Sequence, residues 1–268
     1  MDLPLRPATT TTMSTRDPSI DAALARFVKY PAHLRKLLSE TNAVISGSFA
    51  VQFFLNETWS DSDLDIDVGA DPNPGLNDEL QWTNAQKLVN YLEQIEGYDC
   101  AKEVGNYAAR KEIEVVKSFF GPPYNSALYN SPQIQLVLLK TRPVTHILTH
   151  YYATHIPNFI TGTTAYCIFP ELTLAKKAFL VRDPGMYEEF FRGKYGEGKP
   201  ERGFILQKPE AWKGGRDRVI GDEGARVVRF DGKDQDGEDD GVGRVKFVVE
   251  RYGYGPDSAK RGGLKITC

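Results

Sequence analysis

Ile45-Ser46-Gly47-Ser48-Phe49, followed after an apolar segment by Asp61-Ser62-Asp63-Leu64-Asp65-Ile66-Asp67-Val68, is the stretch whose reading decides the fold. A short apolar run, Ala43-Val44-Ile45, reads as a buried strand that enters a Gly-Ser turn. Such a turn leaves backbone N–H groups free for phosphate oxygens. Phe49 to Leu55 then reads as a helix aiming its positive end at whatever Gly47 and Ser48 hold. The acidic stretch alternates charge with hydrophobe, the pattern of a strand from about Asp63 to Val68. Asp63, Asp65 and Asp67 then share one face, and Leu64, Ile66 and Val68 pack on the other. Carboxylates two residues apart on a strand suit a hard divalent cation, which prefers oxygen ligands and keeps contacts to substrate phosphates.

Outward from this stretch, Asp17-Pro18-Ser19 starts a helix carrying Ile20, Leu24, Phe27 and Val28 at helical spacing, and Pro31 starts another with Leu34, Leu37 and Leu38. Residues 69–75, with two prolines and a Pro-Gly pair, form a loop. Ala85, Leu88, Val89, Leu92 and Ile95 predict a helix stopping at Gly97. Glu112 to Phe120 and Gln133 to Leu139 read as strands separated by a Gly-Pro-Pro loop. Helices are expected over Pro143–Tyr152 and Leu172–Val181. Residues 1–16 have almost no apolar surface and read as a disordered tail. Arg6 and Arg16 would suit a targeting peptide, but Asp2, Asp17 and the missing amphipathic pattern argue against one. Beyond residue 182 glycine is frequent and residues 231–240 form an acidic low-complexity loop. Arg226–Phe230 and Arg244–Tyr252 read as two strands joined by that loop, a hairpin with a flexible end. The expected organisation is therefore a tail (1–16), a core (17–181) and an irregular β-rich C-terminal appendage (182–268).

Composition narrows the function classes. The 268-residue chain is 41% hydrophobic and 26% charged, as globular proteins are. No run approaches the ~18 apolar residues of a membrane span. A net charge of -3 gives no global reason to expect nucleic acid, although a local basic face remains compatible with it. Cys100, Cys167 and Cys268 are too few and too scattered for a zinc site or a disulfide framework, and read as reduced thiols of an intracellular, cytoplasmic protein.

Gly47, Ser48, Asp63, Leu64 and Asp65 stand where the nucleotidyltransferase superfamily with the DNA-polymerase-beta-like fold carries its Gly-Ser turn and acidic dyad. The chain resembles that superfamily. Ile45 to Val68, with Ile134-Gln135-Leu136, Ile160-Thr161 and Phe169-Pro170-Glu171, is also similar to fungal members of unassigned function. The resemblance implies an α+β fold, a mixed β-sheet flanked by helices. It further implies magnesium on Asp63 and Asp65, with Asp67 beside them, and a nucleoside triphosphate whose β- and γ-phosphates lie on Gly47 and Ser48. The acceptor is not readable.

Two departures from the pattern bear on activity. Between Ser48 and Asp63 lie 14 residues, toward the long side of the superfamily's range. A third carboxylate usually stands on a later strand, and the aligned position here holds Gln135, which brings no charge. A rival registration puts Glu112 or Glu114 in the site. The alternative to an active enzyme is then a nucleotide-binding or scaffold protein of the same fold. Other candidates are Lys176 and Lys177, able to reach a triphosphate or to form a solvated helix face, and loop tyrosines Tyr124 and Tyr129, able to stack on a base or cover a core edge. His146, His150 and His155 at i, i+4 and i+9 read as zinc ligands or as a polar helix edge.

Overall fold

The computed structural model describes residues 11–12, 19–69, 78–105, 112–121, 133–212, 217–230, 242, 245–252 and 263–268. In chain order these form β1 (Thr11–Thr12), α1 (Ile20–Leu24), α2 (Pro31–Thr41), β2 (Val44–Ser46), α3 (Gly47–Leu55), β3 (Leu64–Gly69) and α4 (Asp78–Asn90). Next come β4 (Asp99–Gly105), β5 (Ile113–Phe120), β6 (Gln133–Leu139), α5 (Pro143–His150), β7 (Phe159–Ile160), β8 (Thr164–Cys167), α6 (Pro170–Leu174) and β9 (Lys177–Ala178). The C-terminal third adds α7 (Pro184–Lys194), β10 (Ile205–Leu206), β11 (Asp217–Val219), β12 (Arg226–Arg229), β13 (Lys246–Tyr252) and β14 (Gly263–Thr267). The fold is α+β. Its centre is a nine-stranded mixed sheet of order β1-β12-β8-β7-β2-β3-β6-β5-β4, in which β3 runs antiparallel to β2 and parallel to β6.

Local chemistry accounts for the elements around the decisive stretch. Ser19 caps α1 by accepting from the Ala22 N–H, and Pro31 opens α2, where its missing N–H costs nothing. α2 and α3 both end on asparagines in the left-handed region, Asn42 and Asn56, a conformation asparagine tolerates. α3 is buried from Gly47 to Phe54, which makes it the central helix. Leu64, Ile66 and Val68 of β3 join Ile134, Leu136 and Leu138 of β6 in one core under α1 to α4. The other face of β2 and β3 carries Ser46, Asp65 and Asp67 toward α5 and the residues after it. A second core there unites Val44 with Val144, Ile147 and Leu148 of α5 and with Phe247, Leu264 and Ile266 of the β11-β13-β14 sheet.

Several expectations are corrected. The helix expected over Leu172–Val181 ends after Leu174: Lys176 takes φ 50, and the chain continues extended, pairing β9 with β10 and bridging Ala153 to Leu180. Ala178 to Val181 is a short apolar run, which periodicity cannot assign to helix or strand. The helix through Leu92 passes into a π-helical turn, Tyr91–Glu96, whose extra residue per turn rotates Ile95 to the surface and buries Glu96. Glu96 then accepts from the N–H groups of Lys29 and Tyr30 at the start of α2. The expected C-terminal hairpin does not form, because β12 pairs with β8 in the large sheet while β13 lies between β11 and β14. The end expected to be flexible is β14, with Leu264 and Ile266 buried. Strands β4, β7 and β8 and helix α7 had no clear sequence signal. The tail apart from Thr11–Thr12, most of the 69–75 loop, the acidic loop, Tyr124 and Tyr129 lie outside the described residues.

Candidate functional site

The Gly-Ser turn and the acidic strand meet through strand pairing. Ser46 pairs with Asp65 across β2 and β3, and Val44 pairs with Asp67. Gly47 follows at φ +64, and its backbone lies so close to β3 that a Cβ there would overlap Asp65 Oδ2 and stand 3.2 Å from Asp65 Cγ. Only glycine combines that conformation with that approach. Gly47→Ala is therefore expected to displace the Asp65 carboxylate and to cost about 2 kcal/mol of stability. Chemical denaturation checks the second effect, and a magnesium titration followed by thermal unfolding checks the first.

Ser48 is buried, and its hydroxyl is hydrogen-bonded to the Ser62 hydroxyl. Gln52 donates to Ser62 Oγ at 2.7 Å and to Ser48 O at 3.2 Å, while its own oxygen accepts from the Trp59 N–H at 2.7 Å and from Arg26 at 3.3 Å. This network clamps the long spacer to α3 and so delivers Asp61 to Asp63 beside the turn.

The three strand carboxylates step inward. Asp63 and Asp65 are half-buried, and Asp67 is 3% exposed. Tyr151, just past α5, donates from its hydroxyl to Ser46 Oγ at 2.7 Å, and Ser46 in turn bonds Asp67. The other Asp67 oxygen is buried without a hydrogen-bond partner. Desolvation raises all three carboxyls. Asp65 is pushed up to about 7, with Lys194 opposing and Asp63 adding to the rise, and Asp67 is pushed up to about 8, with Asp65 adding and Ser46 opposing. Asp63 is also raised, by burial and by Asp61 against Lys194. Asp61 behaves oppositely. Burial pushes it up, but hydrogen bonds and ion pairs with Lys199 (2.9 Å) and Arg202 (2.7 Å) outweigh this and hold it at about 2.

These shifts set a pH dependence. Asp65 and Asp67 bind protons in the folded state that the unfolded chain releases above its ordinary carboxyl pKa of about 4. The stability linked to them is fully present below about pH 4 and is lost as pH rises through about 7 and about 8. Asp61 contributes in the other direction, losing its part as pH falls toward about 2. Thermal unfolding without divalent cations is thus expected to show a maximum at about pH 4 and a decline of several kcal/mol by about pH 8. Asp67→Asn should flatten that decline.

Gln135 pairs with Asp65 in the parallel β3–β6 ladder, and its Nε2 donates to Asp63 Oδ2 at 3.2 Å. The position aligned with a third carboxylate therefore lies against the dyad and holds an amide. The rival registration fails. Ile113 of β5 pairs with Leu139, four residues or ~13 Å along β6 from Gln135, and Glu112 and Glu114 pair instead with His150 and Lys140.

Lys176 is engaged with Glu57 at 2.7 Å. Glu57 lies ten residues after Gly47, past the far end of α3, so the structure does not bring Lys176 to the turn. Lys177 is exposed. The three histidines do not converge. His146 stacks on His150 at 4.7 Å, whereas His155 is buried among Phe191, Tyr195 and Phe204, which holds its ring neutral with a pKa lowered to about 3. Cys167 is buried, as expected of a small apolar residue, while Cys100 and Cys268 are exposed. An open cleft of about 510 Å³ lined by Phe169, Lys177, Phe179, Trp212 and Arg218 shares no residue with the acidic strand.

Sequence reasoning missed the cationic side of the site. Arg202 is 2% exposed, with its guanidinium 4.7 Å from the Trp59 ring centroid and 5.3 Å from that of Tyr195. It donates to Asp61 and to the Lys194 carbonyl. Lys194 supplies the positive field on Asp63 and Asp65. Both lie in a glycine-rich stretch more than 120 residues from the motif, with no local pattern to mark them.

Among the described residues, no group of three or more histidine, cysteine or acidic side chains is arranged to hold a metal ion, and no helix is long and apolar enough to cross a membrane. No protein-family model matches the chain, and no curated protein matches it. Solved CCA-adding enzymes are similar to it. An apo form is 14% identical over 71% of this chain and 43% of that one, with a TM-score of 0.41. A complex with ATP is 12% identical over 72% and 44%, with a TM-score of 0.42. The Thermotoga maritima CCA-adding enzyme complexed with tRNA is 14% identical over 71% and 43%, with a TM-score of 0.41. The chain covers less than half the length of these enzymes.

Proposed function

We propose that this protein transfers a nucleoside monophosphate from a nucleoside triphosphate to an acceptor hydroxyl, at the site formed by the Gly47-Ser48 turn and Asp63/Asp65. The observation that carries this reading is the close approach of Gly47 to Asp65, which puts a phosphate-sized turn and a carboxylate pair in one place. The donor set fits a divalent cation. Three carboxylates are raised by burial and crowding, one of them with a buried oxygen lacking a partner. Magnesium commonly takes only one or two protein carboxylates and completes its shell with phosphate and water. Asp63 and Asp65 would hold it, with Asp67 beneath. When bound, the metal stabilises charge developing on the leaving pyrophosphate.

The chain's own residues do the rest. The N–H groups of the first turn of α3 have no intrahelical acceptors and receive the β- and γ-phosphates. The Ser48 hydroxyl, tied to Ser62, sets the turn rather than reaching for substrate. Gln135 orients Asp63 through its amide. Calorimetry with a nonhydrolysable nucleoside triphosphate, with and without magnesium, tests the site, and pyrophosphate release tests the reaction. A second reading, a binding protein of the same fold, is favoured by Gln135, which can neither bring charge to a metal nor take a proton from an acceptor. Binding without pyrophosphate release selects it. Absence of binding overturns both readings.

A further inference from the structure

Met186, Phe190 and Lys194 recur every four residues on α7 and so share one face. Met186 and Phe190 are 68% and 51% exposed, while Phe191, about 100° round the helix, is buried. The Phe190 ring is not loose, since it packs edge-to-face against Tyr152 at 5.2 Å. One helical turn on, Lys194 Nζ stands 5.8 Å from the Phe190 centroid, and its charge acts on both Asp63 and Asp65. Lys194 makes no ion pair among the described residues, although two carboxylates lie within its field. Nζ lies equally far, 5.8 Å, from the Tyr195 centroid, and Arg202 donates both to the Lys194 carbonyl and to Asp61, which ties this end of α7 to the acidic stretch.

A braced, exposed aromatic ring, an ammonium and a carboxylate pair match the parts of a nucleoside triphosphate: a flat base, a polyanion, and the metal the polyanion shares with the protein. We infer that this face of α7 seats the nucleotide, with the base stacked on Phe190 and the phosphates drawn between Lys194 and the Gly47-Ser48 turn. The inference rests on the nucleotidyl-transfer reading of the acidic site. Phe190 has no hydrogen-bonding group, so selection among bases follows stacking area, purine over pyrimidine, with little distinction between adenine and guanine. Lys194 contributes as a point charge. Its attraction for the triphosphate is screened by salt, while the stack is not.

The test is a titration of wild type, Phe190→Ala and Lys194→Met with a nonhydrolysable ATP analogue, the corresponding CTP analogue and adenosine, each with magnesium. Lys194→Met is expected to leave the melting temperature unchanged, and Phe190→Ala, which removes a ring packed on Tyr152, to lower it slightly while the fold is retained. Phe190→Ala should weaken the ATP analogue about tenfold and the CTP analogue less. Lys194→Met should weaken both triphosphates about tenfold, leave adenosine unchanged and reduce the salt dependence of binding. If the wild type binds the triphosphates and both variants remain within about twofold of it, the inference is wrong and the nucleotidyl-transfer reading stands. If the wild type binds no nucleotide, both fall. If Phe190→Ala alters only sedimentation behaviour, the face joins copies of this chain and the inference is overturned.

Discussion

The Asp63→Asn/Asp65→Asn double variant is expected to lose pyrophosphate release by roughly three orders of magnitude and, without magnesium at pH 8, to unfold at a higher temperature than the wild type. Both effects have one cause. Asp61, Asp63, Asp65 and Asp67 alternate along one stretch, and burial and mutual repulsion raise the last three. Lys194 offsets part of this, but the Asp67 oxygen without a partner shows that the compensation is incomplete. Asparagine keeps the size of each side chain and removes its charge, so the apo protein gains stability. The same change removes the groups proposed to hold the cation. Magnesium, which should raise the melting temperature of the wild type by mass action, should leave the double variant unmoved. Calcium serves as a control for simple screening. Equal magnesium responses in the two proteins would end the case for a metal site, and with it the case for nucleotidyl transfer.

Arg202→Ala is expected to cost about 3 to 4 kcal/mol of stability. The guanidinium fills the space between Trp59 and Tyr195 and satisfies Asp61 and the Lys194 carbonyl. Its loss leaves a cavity, an unpaired carbonyl and a carboxylate held by Lys199 alone. Arg202→Lys should recover little, because an ammonium cannot reproduce the planar fork between two rings. Lys199→Ala is the contrasting control. That pair is exposed on both sides, and its removal should cost roughly 0.5 kcal/mol. Urea unfolding of the three variants is the measurement, and an Arg202→Ala protein within about 1 kcal/mol of wild type would contradict the assignment.

What was legible in the sequence was local. The Gly-Ser turn, the alternation of Asp63 to Val68, the starts of α1 and α2 and the run at Gln133–Leu139 each state their own conformation, and the structure forms them. Two strands whose pairing is antiparallel and adjacent bring Gly47 to Asp65 without help from distant residues. The errors arose where local signals are ambiguous or absent. Ala178 to Val181 is apolar without a period, and a residue in the left-handed region, Lys176, decides its conformation. β12 and β13 look alike as β-branched runs, but β12 pairs with the distant β8 in the large sheet while β13 lies between its nearer neighbours β11 and β14 in another. Arg202 and Lys194 owe their roles to packing on Trp59 and Tyr195, a relation that no spacing along the chain records.

The Arg202–Asp61 contact also sets an order of events during synthesis. Its partners are 141 residues apart, so at 5 to 20 residues per second the Asp61–Asp67 segment emerges roughly 7 to 30 s before the cation that pairs with it. β12, which extends the large sheet beside β8, is made later still. During that interval a nascent chain carries an incomplete sheet with an unpaired strand edge at β8, and an acidic stretch whose repulsion opposes closure. The ribosome-bound protein is therefore expected to remain a substrate for chaperones until α7 and the residues that follow it have cleared the exit tunnel.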